Sequence, residues 1–457
     1  MSSIRDLSRW VTELKFSDLP GPVAEKAKEV ALNSWGVQLA ASTLDWSKSS
    51  YRYGRSQGGT PESTVVNYGF RTSAANAAFI NGCFAHGFEM DDNHGRTGIK
   101  GGCVTVPTAL AVGERQLSNG KAFITALVAG YEVMTRAGLA GYKGLHDGGH
   151  HPTGHLGALG AAAITSKLLD FDVDATAHAL SIAAAHMIGL SFSGGDVKSD
   201  RGYLKRTYGG TAAFGGIRAA LLAREGMTGS EALLEPGAGF CRAFGVDEAG
   251  ARMFTAGLGE EWEILRAHYK IYAQDGHIQP MTEALERIRK AHNFAASDVE
   301  SVRVGTNQVA NDLIVGQIRE PRDLTDAQYS ANFSVALYLV RGGAGFQEYT
   351  EDNILTDPEI IDLSRRVTLE IDPEIEAEFQ RTHPRGARVT LRLRSGDEFT
   401  EVVDNLRAMT PDDIDDKFRR LSSVVLDPDR GEALLRRVRS LEEVRDVSAL
   451  LPLFLSQ

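Results

Sequence analysis

The spacing of apolar residues changes twice along the chain, and this change limits the possible folds more than any other feature. From residue 17 to about residue 265, apolar residues recur every three to four positions, as on the buried face of a helix. After Trp262, several segments alternate apolar and polar residues with period two, as half-buried strands do. The helical pattern returns at Thr410. This order predicts a small α+β domain inserted into a helical one.

The predicted helices of the first part are rich in alanine and glycine, so neighbouring helices can approach closely. We therefore expect a mainly α protein. Residues 1–265 and 405–457 would form a discontinuous all-helical domain, and residues 266–404 an inserted α+β domain holding all of the strands. Helices are predicted at 17–41, 74–88, 106–116, 121–139, 156–169, 174–186, 211–224, 281–292, 331–341, 357–364 and from Pro411, and strands at 302–304, 367–371, 388–393 and 398–402, the last two forming a hairpin.

Composition excludes several classes of protein. The 457 residues include 49 Lys and Arg against 60 Asp and Glu, and the net charge of −11 has the wrong sign for nucleic-acid binding. No window approaches 18 uncharged apolar residues, and the first six residues lack the apolar core of a secretion signal. Three widely spaced cysteines match neither a disulfide framework nor a zinc site. We therefore expect a cytoplasmic globular protein with no nucleic-acid or membrane partner.

The densest group of histidines lies in the glycine-rich segment His150–His155. We expect a loop there, before a helix that begins near Leu156, where backbone N–H groups bind an anion and a histidine transfers protons. Two other interpretations stay open. One is a structural cluster. The other is a metal site, which is disfavoured because Pro152 and Gly154 do not continue a helix and no H-E-x-x-H pattern occurs.

Three further segments concentrate charge beside glycine. His86–His94 holds three carboxylates that repel one another, which raises the pKa of at least one of them if they are buried. Residues 200–210 bring cations and hydroxyls to a helix start, and residues 268–277 mark the transition to the α+β pattern, a usual place for a cleft. The simpler interpretations are solvated acids, a solvated basic turn and a polar linker. No P-loop, dinucleotide or serine-hydrolase motif is present.

Together these segments resemble the MmgE/PrpD family, which includes 2-methylcitrate dehydratase, cis-aconitate decarboxylase and iminodisuccinate epimerase. Residues 76–93 are similar to the family stretch N-G-x-x-x-H-x-x-D-F-D-D-T, and residues 151–154 to the block G-F-H-P-T-G. Residues 204–213 are similar to K-R-L-H-x-G-x-A-A, and Lys270 matches the lysine of K-x-Y-P. The resemblance covers nearly the whole chain.

The chain departs from the family pattern at several positions. Glu89–Asn93 stands where the family has Asp-Phe-Asp-Asp-Thr, Lys100 replaces a histidine before the next helix, and Tyr208 replaces the histidine of K-R-L-H. Residues 274–280 stand where the family has a stretch that bears a cysteine or a histidine. Residues 333–337 lack the tyrosine of the corresponding family element. These departures fit a reaction other than methylcitrate dehydration.

The resemblance implies a homodimer with an α+β lid, a cleft between the domains, and chemistry without a metal or an organic cofactor. The shared reaction removes a proton or a carboxylate next to a carboxylate of the substrate. Such a step needs cations to stabilise the enediolate and a base with a pKa near neutral. We expect a lyase, either a dehydratase or a decarboxylase, acting on a small di- or tricarboxylate. The alternatives are an epimerase or isomerase of a dicarboxylate such as iminodisuccinate, and a catalytically silent ligand-binding protein.

The resemblance also suggests roles for individual residues. His151 is the predicted base, oriented by Asp91 or Asp92, and Lys100 is the rival base because it stands where the family has a histidine. The residues predicted to bind the substrate are Lys205, Lys270, Tyr208, Arg96, His277 and Glu89.

Overall fold

The computed structural model describes residues 2–187, 189–190 and 203–456, and it confirms a mainly α protein. The helices are α1 (Ser3–Glu13), α2 (Gly21–Ala41), α3 (Asp45–Ser56), α4 (Ala74–Ala85), α5 (Gly102–Arg115), α6 (Gly120–Asp147), α7 (Pro152–Leu168), α8 (Val173–Ala185), α9 (Tyr208–Arg224), α10 (Gly239–Ala243), α11 (Glu248–Arg252), α12 (Gln279–Ala291), α13 (Leu324–Tyr329), α14 (Ala331–Arg341), α15 (Phe346–Thr350), α16 (Pro358–Arg365), α17 (Pro373–Thr382), α18 (Pro411–Ser422) and α19 (Pro428–Arg439). The strands are β1 (Ser63–Thr64), β2 (Arg71–Thr72), β3 (Asp92–His94), β4 (Ala267–Tyr269), β5 (Val299–Thr306), β6 (Val367–Ile371), β7 (Ala387–Leu393) and β8 (Glu398–Val403).

The chain divides into two compact units. The first comprises Met1–Ser191, Leu204–Tyr269 and Met409–Gln457, and the second includes Lys270–Ala408. The interpretation of residues 266–404 as a lid stays a prediction. Within the described residues, no helix is both long and apolar enough to cross a membrane.

Close approach of helices in the first unit depends on glycine, as the sequence suggests. A Cβ atom on Gly82 of α4 would lie 2.7 Å from the backbone of Gly210 in α9. A Cβ atom on Gly216 of α9 would lie 2.4 Å from the Ala158 carbonyl of α7. Because real Cβ atoms essentially never approach so closely, larger residues would push these helices apart. The segments that carry the candidate site residues begin or end on α4, α7 and α9, so this packing positions them.

The last part of the chain packs on the first. Helix α18 lies against α2, where the space above Gly36 is filled by Phe418 and Leu421. Thr410 begins α18 with a capping box, in which its hydroxyl accepts from the N–H of Asp413 and the Asp413 carboxylate accepts from the N–H of Thr410. The helix start predicted at Pro411 is therefore confirmed.

The second unit contains a four-stranded sheet with the order β6-β5-β7-β8. Strand β5 is parallel to β6 and antiparallel to β7. Strands β7 and β8 pair antiparallel, with Thr390 opposite Thr400, so the predicted hairpin is confirmed. Val302 and Val304 point to the buried face, as their period-two spacing predicts.

The prediction that strands occur only in the insert is wrong. Strands β1 and β2 form a short antiparallel pair, and β3 pairs antiparallel with β4, with Asp92 opposite Tyr269. These strands are two or three residues long, so they contain too few alternations for periodicity to reveal them. The β3–β4 pairing matters for function because it fixes the acidic segment after α4.

Candidate active site

The acidic segment begins where α4 ends, with His86 as the C-cap residue of that helix. Gly87 follows in a tight position, since a Cβ atom there would lie 2.6 Å from the Ala41 side chain. Glu89 has a left-handed backbone, with φ of 54°, and its side chain is buried. A non-glycine residue in this region is strained by about 1–2 kcal/mol, and such strain is often kept at functional sites.

His86 and Asp91 form a buried pair. The His86 Nδ1 atom lies 2.5 Å from Asp91 Oδ2, and the His86 Nε2 atom is buried with no hydrogen-bond partner among the described residues. Burial lowers the pKa of His86, and the charge of Asp91 opposes that shift. A neutral His86 that donates from Nδ1 to the carboxylate keeps its lone pair on Nε2. This arrangement is the usual way in which a carboxylate orients an imidazole base.

Asp92 is held by different partners. Its Oδ1 accepts from the Gly102 N–H at 2.9 Å, and its Oδ2 accepts from the Tyr131 hydroxyl at 3.0 Å. Burial and the neighbouring charge of Asp91 raise the pKa of Asp92 to about 6. The expectation that one carboxylate of this segment has a raised pKa is therefore confirmed.

Glu89 lies between two buried cations. The Lys205 ammonium and the Arg206 guanidinium both contact Glu89 Oε1, the arginine at 2.8 Å. All three side chains are at most 7% exposed, and both cations lie in a short turn just before α9. Arg206 is a member of this group that the sequence analysis left out. Residues 200–202 of the predicted basic segment lie outside the described residues.

His151 lies at the start of α7, and this start corrects the sequence analysis. The helix begins at Pro152 rather than near Leu156, because proline is well suited to the first helical turn. His151 is the N-cap residue, and its Nδ1 accepts from the Gly154 N–H at 3.4 Å. His155 therefore lies inside the helix, where burial and the charge of His150 lower its pKa to about 4.

The ring of His151 contacts two other rings of the site. Its centroid lies 5.7 Å from that of His86 and 4.6 Å from that of Tyr208. Burial lowers the pKa of His151 well below its usual value, and the charges of His86, Lys100 and Lys205 add to this effect. At neutral pH His151 is therefore an uncharged imidazole. Since its Nδ1 accepts a hydrogen bond, the ring proton is on Nε2.

Asp91 bonds to His86, and Asp92 to Gly102 and Tyr131, so the role predicted for them in orienting His151 has no support from these hydrogen bonds. His86 is the second residue of this cluster, after Arg206, that the sequence analysis left out of the candidate site. Its signal was present in the family-like motif, where it is the histidine that precedes the acidic residues.

Lys100 and Tyr208 both contact the segment around His151. The Lys100 N–H donates to Thr153 Oγ1 at 2.9 Å, and its ammonium donates to the Gly98 carbonyl at 2.6 Å. The Tyr208 hydroxyl donates to the Leu190 carbonyl. The structure thus brings Lys100 and Tyr208 to the segment that holds the candidate base.

Arg96 belongs to a different group. Its guanidinium lies 3.4 Å from Glu263 Oε1, and His94 Nε2 lies 2.9 Å from the other oxygen of the same carboxylate. The Arg96 side chain is 46% exposed. Its predicted role in substrate binding therefore has no support from the contacts around Glu89.

Lys270 and His277 lie in the second unit, and both are buried. The His277 Nδ1 atom lies 3.0 Å from Asp275 Oδ1. Burial raises the pKa of Asp275. The hydrogen bond to His277 and the charges of Arg385 and Lys270 lower it by more, so the net shift is downward and the carboxylate stays ionised. Arg385, which the sequence analysis did not consider, is thus part of this group.

One group of side chains in the first unit has a geometry that a metal ion could use. Ligand atoms of His86, Asp91 and Cys103 all lie within 4.8 Å of one another. Burial and the charges of Asp91 and Asp92 raise the pKa of the Cys103 thiol well above its usual value, and its sulfur donates to the Lys100 carbonyl at 3.1 Å. A metal would need the thiolate, so these contacts suit a protonated cysteine better than a ligand.

Comparison with known proteins identifies the family. The model of the MmgE/PrpD N-terminal domain matches residues 5–250, and that of the MmgE/PrpD C-terminal domain matches residues 272–443. The chain belongs to the MmgE/PrpD family. The resemblance seen in the sequence is confirmed, and the segments around His86, His151 and Lys205 all lie within the matched N-terminal domain.

Several known proteins are similar to this chain over almost their full length. The cis-aconitate decarboxylase-like protein oryM of Aspergillus oryzae is 29% identical, over 98% of this chain and 96% of its own. The cis-aconitate decarboxylase of Aspergillus terreus is 27% identical, over 98% and 95% of the two chains. The human cis-aconitate decarboxylase is 26% identical, over 96% and 91%.

Proposed function

We propose that this protein is a cofactor-independent lyase that removes a carboxylate or a hydroxyl group next to a carboxylate of a small di- or tricarboxylate. Decarboxylation is the favoured reaction, because the relatives above are named cis-aconitate decarboxylases. The observation that carries the proposal is the grouping of an uncharged, buried His151 with the buried cations Lys205 and Arg206.

The cations meet the main electrostatic need of the reaction. When CO₂ leaves, the bonding electron pair stays on the substrate and spreads onto the neighbouring carboxylate as an enediolate. Lys205 and Arg206 are already buried, 5% and 2% exposed, so they stabilise this charge without reorganisation of solvent. Glu89 balances one of their two charges.

The two histidines meet the need for proton transfer. His151 presents Nε2–H, and His86 presents an Nε2 lone pair that Asp91 orients. We assign proton donation to the substrate, from Nε2–H, to His151, and proton acceptance, at the Nε2 lone pair, to His86. Lys100 is the alternative acid or base, and Lys270 and His277 are retained as proposed substrate contacts in the second unit.

A nuclear magnetic resonance experiment in D₂O tests this function. The protein is mixed separately with cis-aconitate, citrate, methylcitrate and iminodisuccinate, with His151→Ala as the matched control. We expect consumption of one tricarboxylate, with release of CO₂ or water and one deuterium in any decarboxylated product. Deuterium uptake with inversion would identify an epimerase instead, and binding without exchange would identify a silent protein.

A homodimer and a cytoplasmic location also belong to the proposal. Light scattering on the purified protein tests the first, with twice the monomer mass as the expected result.

A further inference from the structure

A fully buried lysine contacts the acidic segment from the other end of the chain. Lys417 lies on α18 and is 1% exposed. Its ammonium donates to the Met90 carbonyl at 2.7 Å and to Asn33 Oδ1 of α2 at 2.6 Å. Removing an ammonium from water costs several kcal/mol, and a methionine of similar length would fill the same space without that cost. The lysine therefore needs an explanation beyond packing.

Met90 lies between two acidic residues whose side chains have different partners. On one side is Glu89, whose left-handed backbone directs its carboxylate to Lys205 and Arg206. On the other side is Asp91, which bonds to His86. A strained residue next to a bonded carbonyl keeps its conformation only if the surrounding contacts fix it.

We propose that Lys417 is a positioning residue, which fixes the Met90 peptide and thereby sets both the Glu89 contact with the cations and the Asp91 contact with His86. This inference rests on the proposed function, since it assigns Lys417 to the same reaction. Lys417 acts through the backbone and does not touch the substrate.

The tautomer of His86 gives a direct test that needs no substrate. While Asp91 accepts from Nδ1, the neutral ring keeps its proton there, and its imidazole nitrogen and carbon shifts report that tautomer. The protein is labelled at histidine, and the His86 signal is assigned with His86→Gln. We expect the native protein to show the Nδ1–H form and Lys417→Met to lose it, with kcat lowered about 10²-fold, as a displacement of about 1 Å can cause.

Two variants separate positioning from general stability. Lys28 is another buried lysine of the first unit, 2% exposed, and it binds the Arg439 carbonyl and Glu442. Lys28→Met should lower stability but keep the His86 tautomer and kcat. Asn33→Ala removes a second acceptor of Lys417 and should also keep the tautomer, because the Met90 contact remains.

The inference is overturned if Lys417→Met folds and keeps the Nδ1–H form, or if Lys28→Met changes the tautomer equally. If Lys417→Met does not fold, Lys417→Gln, which retains an N–H donor, is measured instead. Failure of that variant to fold would show that Lys417 serves folding rather than positioning. If no carboxylate is turned over by any form of the protein, the proposed function fails, but the tautomer still decides the role of Lys417.

Discussion

Two buried glutamates of the first unit have similar partners and different surroundings. Glu89 contacts Lys205 and Arg206, which are 7% and 2% exposed at the side chain, and it has a left-handed backbone. Glu263 contacts His94, Arg96 and Arg266, and both arginines are nearly half exposed. The first carboxylate belongs to a buried cluster with strain in its backbone, and the second to a network of one buried histidine and two half-exposed arginines.

The comparison shows that charged residues close in sequence can belong to separate groups. Glu89 and Arg96 are seven positions apart, yet β3 and the turn after it direct Arg96 to Glu263. Water screens the Arg96 contact, whereas the Glu89 contacts act in a low dielectric. We therefore expect changes around Glu89 to alter catalysis, and changes around Glu263 to alter stability alone.

The largest expected effect comes from His151, and His94 of the Glu263 group is its control. His151→Ala should lower kcat by about 10²–10⁴-fold with little change in KM, because a proton-transfer group is lost. His94→Gln, in the Glu263 group, should keep kcat within about threefold. Steady-state kinetics of both variants, with Lys100→Ala beside them, provides the measurement. Near-normal kcat in His151→Ala together with no turnover in Lys100→Ala would show that Lys100 is the base.

The next effect concerns the cations. Lys205→Ala should lower kcat/KM by about 10²–10³-fold and raise KM, because the enediolate and a substrate carboxylate lose their counter-charge. Arg96→Ala should change kcat/KM less than twofold, since its half-exposed guanidinium is bonded to Glu263. Kinetics on the substrate found in the D₂O experiment measures both. A large loss in Arg96→Ala would instead restore the role predicted from sequence and remove the distinction between the two groups.

The third effect is a difference in stability: replacing Glu89 should lower the free energy of unfolding more than replacing Glu263. Glu89→Gln removes the negative charge that both buried cations contact, which costs about 3–5 kcal/mol when a buried pair is broken. Relief of backbone strain does not offset this loss, because glutamine has the same left-handed penalty. Glu263→Gln should cost about 1–2 kcal/mol, since water takes over part of the solvation of its arginines. Urea unfolding of both variants checks the order, and an equal shift of the two midpoints would contradict it.

Sequence patterns predicted the long elements well and the site contacts only in part. Helix α14 at Ala331–Arg341 and strand β6 at Val367–Ile371 agree with the predicted bounds, because the spacing of apolar residues within each segment is regular. The helix α7 start was missed because Pro152 was taken to break a helix, although proline favours the first turn.

The partners of Asp91 and Asp92 could not be derived from local pattern. They depend on how α4 ends and on the β3–β4 pairing, and so on contacts between distant segments. The family-like motif named His86 without giving it a role, and only the geometry shows its bond to Asp91.

The pH dependence of stability should reflect the buried histidines. The pKa of His151 is well below its usual value and that of His155 is about 4, so the unfolded chain binds protons below about pH 6.5 that the folded chain does not. Stability should therefore fall as pH falls from 6.5 towards 4, by up to about 1.4 kcal/mol per pH unit for each such group. Asp92 opposes this between about pH 6 and pH 4, because its raised pKa lets the folded protein bind a proton first.

The measurement is the urea midpoint at pH 7, 6 and 5. His151→Gln should reduce the slope of the free energy of unfolding against pH by about the contribution of one proton. His146→Gln is the matched control, since that side chain is 72% exposed. Equal slopes for the native protein and His151→Gln would mean that His151 titrates alike in the folded and unfolded states.

The smallest expected effect is that of chelation, and it tests whether the buried group around His86 differs in kind from a metal centre. His86, Asp91 and Cys103 are close enough to share an ion, but the raised pKa of Cys103 and its bond to the Lys100 carbonyl favour the thiol. A bound metal would also compete with the His86–Asp91 hydrogen bond that orients the Nε2 lone pair. Activity should therefore stay within about twofold after prolonged EDTA treatment, and Cys103→Ser should behave similarly, because serine keeps a hydroxyl donor to the same carbonyl. Loss of turnover in EDTA that a divalent metal restores, and that Cys103→Ser reproduces, would place an ion between these side chains and give His86 a ligand's role instead of a proton acceptor's.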